Sequence, residues 1–247
     1  MAGTEMGPMK ADRFIREETL LGAAAMSRLA GSHVAVFGLG GVGSWAAEAL
    51  VRGGIGTLTL VDFDTVGESN INRQLFALTS TLGRPKAQVA AERAKDINPD
   101  IQVFPRVERY SAETRSFLLS TSFDYIVDAI DIVTSKLDLI QSAQELGIPI
   151  VSCLGTGNHL SAEGFRITDI SETRDDPLAR VMRKELRKRG ILHTKVLWTP
   201  GAAETPAASG ELPPKGRRSI PGSVSWVPSS AGLQLAGYVI RALAGAD

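Results

Sequence analysis

The chain has 247 residues, of which 43% are hydrophobic and 22% charged, and its 27 basic and 27 acidic side chains give a formal net charge of zero. This length allows one large α/β domain and leaves little room for a second independent core. A neutral chain has no global attraction to nucleic acid or membrane, so any such affinity must come from a local patch of charge.

The chain contains one cysteine, Cys153. A single thiol excludes both an internal disulfide framework and a four-cysteine zinc site, and it suits a reducing compartment. The N-terminal residues lack the apolar core of a signal peptide. No run approaches the roughly 18–20 apolar residues of a membrane span. We therefore expect a cytoplasmic protein that has no membrane partner.

Short apolar runs alternate with helical patterns along most of the chain. Strands are predicted at residues 33–38, 57–62, 101–107, 124–129 and 148–153, and helices at 42–52, 85–97, 112–120 and 134–146. This alternation predicts right-handed crossovers between parallel strands. The expected fold is α/β: a Rossmann-like, mostly parallel sheet with helices on both faces.

Three segments are expected within this fold. Residues 1–30 form an N-terminal helical segment, residues 31–160 the main α/β domain, and residues 161–247 a C-terminal extension. The extension contains a strand at 165–170, a basic helix at 177–189, a loop at 199–222, and a closing strand and helix at 222–228 and 231–243. Five prolines and four glycines in the loop predict a mobile segment.

A glycine-rich loop follows the first predicted strand and opens a helix. It contains Gly38, Gly40, Gly41 and Gly43. Glycines here allow a sharp turn and a close approach to a phosphate at the helix N-terminus, although close helix–strand packing would also use them. Asp62 ends the next strand, where a carboxylate can bind both hydroxyls of a ribose. These features indicate a nucleotide site and, taken alone, favour NAD.

The residues after Asp62 favour a triphosphate instead. They occur in the segments D62-F-D64, N70-I-N72-R73-Q74 and G83-R-P-K86. Arg73 and Lys86 can stabilise the charge that develops when the bond between the α- and β-phosphates of ATP breaks. A bridging metal then needs a carboxylate, and Asp128 and Asp131 follow a predicted strand.

Each of these side chains also has an ordinary structural interpretation. Arg73 could pair with Glu68 on the surface, Lys86 could be a solvated first-turn lysine, and Asp131 could cap a helix. Their joint occurrence behind a glycine loop and its acid favours the ATP-binding interpretation.

The order GxGGxG, D-x-D, N-x-N-R-Q, G-x-x-K and D-x-x-D resembles the ubiquitin-activating superfamily over residues 13–160. Bacterial members of this superfamily adenylate the C-termini of sulfur-carrier proteins. The resemblance implies the variant of the Rossmann-like fold that adenylating enzymes use, and it makes residues 31–160 an ATP-binding adenylation domain. The resemblance implies that Asp62 holds the ribose of ATP and that Asp131 binds Mg²⁺, with Asp128 as a weaker candidate. The residues that it places around the phosphates and the rest of ATP are Asp64, Asn70, Arg73, Gln74 and Lys86, together with the glycine loop.

The resemblance also implies a homodimer in which Arg16 reaches the ATP of the partner subunit. An ordinary arginine at a helix start is the alternative interpretation of Arg16. One departure is Ile132, which stands where the superfamily commonly has an asparagine after the metal-binding aspartate.

The single cysteine limits which branch of the superfamily the chain can resemble. Zinc-binding sulfur-carrier activators need four cysteines, and thioester-forming members need a nucleophilic one, whereas Cys153 ends a predicted strand as a core residue would. The branch that dehydrates threonylcarbamoyladenosine in tRNA needs no cysteine. Its similarity extends to about residue 243, through W45-A-A-E-A-L, the run ending at Lys136, L-G-T-G-N158 and residues 176–190.

This branch implies an ATP-dependent cyclisation that proceeds through an acyl-adenylate of the threonyl carboxylate, with a nucleophile of the same modified base closing the ring. A sulfur-relay or desulfurase-type protein is a further partner that the resemblance allows. The alternatives are adenylation of a ubiquitin-like sulfur-carrier protein, an NAD-dependent oxidoreductase, and a catalytically silent tRNA- or nucleotide-binding module.

A tRNA substrate requires a local positive surface. The helix at 177–189 carries one stripe of basic residues at helical spacing, with Glu185 as its only acid: Arg180, Arg183, Lys184, Arg187 and Lys188. A solvated helix face is the alternative, but such faces usually mix charges of both signs. Lys195, Lys215, Arg217 and Arg218 could extend the patch.

Overall fold

The computed structural model describes residues 13–201, 203–207 and 221–246. They contain a seven-stranded sheet with the order β3-β2-β1-β4-β5-β7-β6, in which β6 alone is antiparallel to its neighbour. The strands are β1 (His33–Phe37), β2 (Thr57–Val61), β3 (Gln102–Arg106), β4 (Tyr125–Asp128), β5 (Ile150–Cys153), β6 (Arg166–Asp169) and β7 (Lys195–Trp198). The predicted Rossmann-like, mostly parallel sheet is therefore confirmed.

Helices cover both faces of the sheet. They are α1 (Ile15–Leu21), α2 (Ala23–Gly31), α3 (Gly43–Arg52), α4 (Lys86–Ile97), α5 (Arg115–Leu118), α6 (Val133–Glu145), α7 (Pro177–Lys188) and α8 (Trp226–Ala244). In β1, Val34 and Val36 pack into the core under α2, α3, α4 and α8, whereas Ala35 and Phe37 pack into the core under α6 and α7. Successive side chains of this one buried strand thus pack into two apolar cores, one on each face of the sheet.

The C-terminal extension completes the same sheet instead of forming a separate unit. Strand β7 pairs with β5 and carries β6 on its outer side. The sequence pattern predicts β6 and α7 but not β7, which is a run of only four residues. The helix predicted at 112–120 is reduced to the four residues of α5.

The closing strand predicted at 222–228 is wrong. Residues 221–224 have no regular secondary structure, and α8 already begins at Trp226. Pro228 lies in the first turn of α8, where its missing N–H would have no helical partner. Gly232 lets α8 pack closely on α3, since a Cβ there would lie 2.3 Å from the carbonyl oxygen of Val42.

Two predictions fall partly outside the described residues. Of the N-terminal segment at 1–30, residues 13–30 are described and contain α1 and most of α2. Of the loop at 199–222, residues 202 and 208–220 are outside the description, and with them Lys215, Arg217 and Arg218. In the parts that are described, no helix combines the length and the apolar character needed to cross a membrane.

Candidate nucleotide site

The glycine loop between β1 and α3 requires glycine at two positions. Gly38 has a φ of +87°, and a Cβ on it would lie 2.6 Å from the carbonyl oxygen of Ala129. A Cβ on Gly43 would lie 1.7 Å from the carbonyl oxygen of Gly38. Gly40 differs, because the nearest atom to its added Cβ would be Nε2 of Gln74 at 3.9 Å. The loop is therefore tightly packed at its ends and open at Gly40, which leaves room for a ligand to approach the backbone.

Asp62 ties this loop to the end of β2. Its carboxylate accepts hydrogen bonds from the backbone N–H of Leu39 at 2.6 Å and of Asp64 at 2.8 Å. Burial raises the pKa of Asp62, and the nearby positive charge of Lys86 opposes that rise. An acid at the carboxyl end of β2 beside the glycine loop fits the expected ribose ligand, and that role stays a prediction.

Lys86 is the first residue of α4 and is only 5% exposed. Its ammonium group lies 3.1 Å from Oδ2 of Asp64, whose side chain is half exposed. The interpretation of Lys86 as a solvated first-turn lysine is therefore wrong. A buried cation beside Asp62 and a partly open carboxylate is a suitable arrangement for a phosphate group.

The segment Asn70 to Gln74 forms a turn against the glycine loop. Oδ1 of Asn70 accepts the N–H of Gly67 at 3.1 Å and thereby fixes the turn. Arg73 donates from Nη1 to the carbonyl oxygen of Ser69 and to Oδ1 of Asn72, each at 2.9 Å. Gln74 is buried beneath Gly40. Arg73 and Gln74 both lie beside the glycine loop, because Cγ of Arg73 would be 3.5 Å from a Cβ on Gly41 and Nε2 of Gln74 3.9 Å from one on Gly40. Their contact with ATP stays a prediction.

The two acids after β4 have different environments. Asp128 is fully buried, and its two oxygens accept from the N–H of Ile130 at 3.0 Å and from Nζ of Lys136 at 2.7 Å. This geometry argues against Asp128 as a metal ligand or nucleotide contact. Asp131 is exposed, and because the N-cap of α6 is Ile132, the N-cap interpretation of Asp131 is wrong.

Magnesium would have few protein ligands here. Among the described residues no three His, Cys, Asp or Glu side chains cluster as a metal site. Mg²⁺ commonly binds through one or two carboxylates together with substrate phosphates and water. An exposed Asp131 therefore fits a magnesium ion that arrives with a nucleotide, and it does not fit a resident metal centre.

The basic helix α7 is anchored as predicted. The carboxylate of Asp176 caps it by accepting the N–H of Ala179 at 2.9 Å, and Met182 and Leu186 are fully buried. Two of the five predicted RNA contacts are engaged within the fold. Arg183 donates to the backbone and the side chain of Thr173, and Lys188 pairs with Glu185 at 2.7 Å.

Four members of the stripe, Arg180, Lys184, Arg187 and Lys188, are exposed, and the side chain of Lys188 is 58% exposed in spite of its ion pair. Lys195 is exposed on β7, and Arg16 is exposed on α1. The roles of these residues toward RNA or a partner subunit stay predictions.

Cys153 is a core residue, as expected. It is buried, and burial raises the pKa of its thiol to about 12. A thiol with this pKa is almost entirely protonated at neutral pH and is a poor nucleophile.

A contact with the C-terminal segment was not predicted. Nδ2 of Asn72 donates to the carbonyl oxygen of Ser223 at 3.0 Å, and Pro228 of α8 lies against Gly41. Asn158 holds the same segment, because its Oδ1 accepts the N–H of Gly222 at 2.6 Å. Asn72 and Ser223 are 151 residues apart, so no local sequence signal could reveal their contact.

Residues 13–245 match the model of the ThiF family, and the chain belongs to that family. The chain is 38% identical over 241 residues to the tRNA threonylcarbamoyladenosine dehydratase of Bacillus subtilis, with 94% of each chain covered. It is similar to the crystal structure of Escherichia coli tRNA N6-threonylcarbamoyladenosine dehydratase in complex with ATP, with a TM-score of 0.85, 32% identity and 94% of each chain covered. It is 34% identical over 135 residues to the Escherichia coli sulfur carrier protein ThiS adenylyltransferase, covering 54% of this chain and 53% of that protein.

Proposed function

We propose that the protein is an ATP-dependent tRNA threonylcarbamoyladenosine dehydratase, which converts this modified adenosine to its cyclic form. The observation that carries the proposal is similarity along the whole chain: 94% of this chain and 94% of the Bacillus subtilis relative align at 38% identity. The relative of known structure was crystallised with ATP. The glycine loop, Asp62 and Lys86 supply a site that suits the same nucleotide.

In the proposed reaction a carboxylate oxygen of the threonyl group attacks the α-phosphorus of ATP, and pyrophosphate leaves. A nucleophile of the same modified adenosine then attacks the acyl carbon. The bond from that carbon to the attacking oxygen breaks, and AMP leaves with the oxygen. ATP becomes AMP and pyrophosphate, and the nucleoside loses the elements of one water. Because the second nucleophile is intramolecular, the protein needs only to position it.

The proposed roles of the side chains follow from charge and position. Lys86 and Arg73 stabilise the negative charge that develops on the α-phosphoryl oxygens and on pyrophosphate. The buried position of Lys86 excludes competing water, which strengthens its interaction with a phosphate. Asp62 orients the ribose, and Asn70 and Gln74 complete the nucleotide site.

Asp131 is the residue that would hold Mg²⁺. Bound magnesium would neutralise phosphate charge in the reaction. The single exposed carboxylate suits an ion whose other ligands are phosphate oxygens and water.

The proposed tRNA contact is the exposed part of the α7 stripe, Arg180, Lys184, Arg187 and Lys188. A homodimer in which Arg16 reaches the partner's nucleotide, a sulfur-relay or desulfurase-type partner and a cytoplasmic location complete the proposal. The buried, protonated thiol of Cys153 is consistent with a mechanism that uses no protein acyl intermediate.

Adenylation of a sulfur-carrier protein is the second candidate. Its support is the 34% identity to the ThiS adenylyltransferase, which extends over about half of each chain. The full-length similarity to the dehydratases makes this candidate weaker.

The test is incubation of the purified protein with ATP, Mg²⁺ and tRNA that carries threonylcarbamoyladenosine. The expected result is a nucleoside lighter by one water and one AMP for each nucleoside converted, with much slower conversion by Lys86→Met. An unchanged nucleoside, together with pyrophosphate exchange that requires a Gly-Gly-tailed carrier protein, would favour the second candidate. Binding of NADH in place of ATP would revive the oxidoreductase.

A further inference from the structure

The ion pair between Asp128 and Lys136 is the most deeply buried one among the described residues. The side chains are 0% and 3% exposed, and Nζ of Lys136 lies 2.7 Å from Oδ2 of Asp128. Burying two charges is costly, and such a pair often adds little stability beyond what apolar side chains of similar volume would give. Its position in the fold therefore needs another explanation.

The pair closes the connection between β4 and α6. Asp128 is the last residue of β4, and Lys136 lies in the first turn of α6, eight residues later. Asp131 lies within this connection. The ion pair thus joins the two ends of the segment that carries the proposed magnesium ligand.

Asp128 also fixes the inside of this connection. Its second oxygen, Oδ1, accepts the N–H of Ile130 at 3.0 Å, next to Asp131 in the chain. The N–H of Ala129 donates to the carbonyl oxygen of Phe37 at 2.8 Å. The carbonyl oxygen of Ala129 lies so close to Gly38 that a Cβ there would approach it to 2.6 Å. Residues 129 and 130 are thus held against the glycine loop.

Lys136 is the cation that pairs with Asp128. Ser152 lies opposite Asp128 on β5, but its buried hydroxyl has no hydrogen-bond partner among the described residues. The neighbouring thiol of Cys153 is protonated. The charge of Asp128 is therefore balanced by Lys136, and without this lysine a fully buried carboxylate would be left without a counterion.

We propose that Lys136 is a positioning residue for the nucleotide site. By neutralising and orienting Asp128, it fixes residues 129 and 130 against the glycine loop and sets the place where the adjacent Asp131 would hold a magnesium ion that arrives with ATP. The inference rests on the proposed function only through the binding of ATP with magnesium, and it does not depend on the identity of the acyl acceptor.

The test compares the dissociation constant of ATP in EDTA with that in excess Mg²⁺, measured by calorimetry without turnover. The ratio of the two constants is the magnesium enhancement, and Asp131→Asn should abolish it. Replacing both partners, as in Asp128→Leu/Lys136→Met, leaves no unpaired buried charge. We expect this double variant to lower the enhancement about 10-fold, the usual loss when a residue that orients a metal ligand is removed. Its affinity for ATP in EDTA should stay unchanged.

Three further variants separate positioning from stability. Lys136→Arg should keep the enhancement because it keeps the charge. Asp128→Asn/Lys136→Met keeps an acceptor for the N–H of Ile130 but loses the ion pair, so its enhancement should be intermediate. The control is Glu48→Leu/Arg93→Met, which removes an ion pair of 2.7 Å between α3 and α4 and should leave the enhancement intact.

Full enhancement in Asp128→Leu/Lys136→Met would overturn the inference. If that variant does not fold, equal enhancement in Lys136→Arg and Asp128→Asn/Lys136→Met would overturn it as well. A wild-type protein whose ATP affinity does not respond to Mg²⁺ would refute the magnesium role of Asp131 and this inference together. Dehydration of the tRNA nucleoside tests the proposed function separately.

Discussion

Removal of three positive charges from α7 should weaken tRNA binding by a calculable amount. The structure leaves Arg180, Lys184 and Arg187 exposed, and Arg183 donates to Thr173. Lys188 is exposed as well, but it pairs with Glu185 and is kept unchanged in this test. Each phosphate contact contributes about 0.7 to 0.9 to the slope of log affinity against log salt concentration. Replacing all three residues by glutamine should therefore reduce that slope by about 2 to 3.

The same relation gives the loss of affinity. At about 0.1 M salt, three lost contacts correspond to a roughly 100- to 500-fold weaker complex with tRNA. Fluorescence anisotropy with labelled tRNA at roughly 50 to 200 mM salt measures both quantities. ATP affinity should not change, because α7 packs under the opposite core from α3 and α4, whose N-terminal ends border the nucleotide site.

A matched control is Lys95→Gln, which removes an exposed charge from α4 on the other face of the sheet. It should leave the salt slope close to that of the wild type. Triple replacement on α7 with an unchanged slope would refute the assignment of this stripe to RNA, and the solvated-face interpretation would stand.

Three substitutions and one change of pH test the nucleotide site and the fold around it. Lys86→Met should slow AMP formation about 10²- to 10³-fold, as loss of a buried charge-stabilising group does; a rate near that of the wild type would exclude the role. Burial raises the pKa of Asp62, and the charge of Lys86 opposes this rise. ATP binding should therefore be lost as the pH falls through the raised pKa and the carboxylate becomes protonated. In Lys86→Met the pKa of Asp62 should be higher still, so titration calorimetry should show the loss of ATP binding at higher pH. Cys153→Ala should leave the dehydration rate unchanged because the thiol, with a pKa of about 12, is protonated; a large loss of rate with an intact fold would contradict this. Gly38→Ala should destabilise the fold by more than about 1 kcal/mol in denaturant titrations, since its φ is +87° and the methyl group would contact Ala129; unchanged stability would show that the loop is less constrained.

The parts of the fold that local sequence patterns encode were predictable. They are the continuous apolar run of β1, the glycine loop and the acid at the end of β2, which follow one another within 30 residues, from His33 to Asp62. Strand β7 was not predictable, because four residues acquire their place only by pairing with β5 and β6.

The surroundings of individual side chains in the site were likewise not predictable from local sequence. Asp128 and Asp131 are equivalent as carboxylates in the sequence, and only the fold buries the first against Lys136 and exposes the second. Arg183 belongs to the basic stripe by helical spacing, but Thr173 outside the helix captures its guanidinium group. The sequence spacing of a residue predicts which face of its own helix or strand it occupies. The residue that it contacts on another helix, strand or loop is determined by tertiary packing.

The central claim is that the threonyl carboxylate is activated by transfer of the adenylyl group. Threonylcarbamoyladenosine in tRNA, labelled with ¹⁸O in that carboxylate, tests this claim most directly by mass spectrometry of the products. The proposed mechanism predicts that AMP carries one ¹⁸O atom for each nucleoside converted, because AMP leaves with the attacking oxygen. Label in inorganic phosphate or in water, with none in AMP, would contradict it.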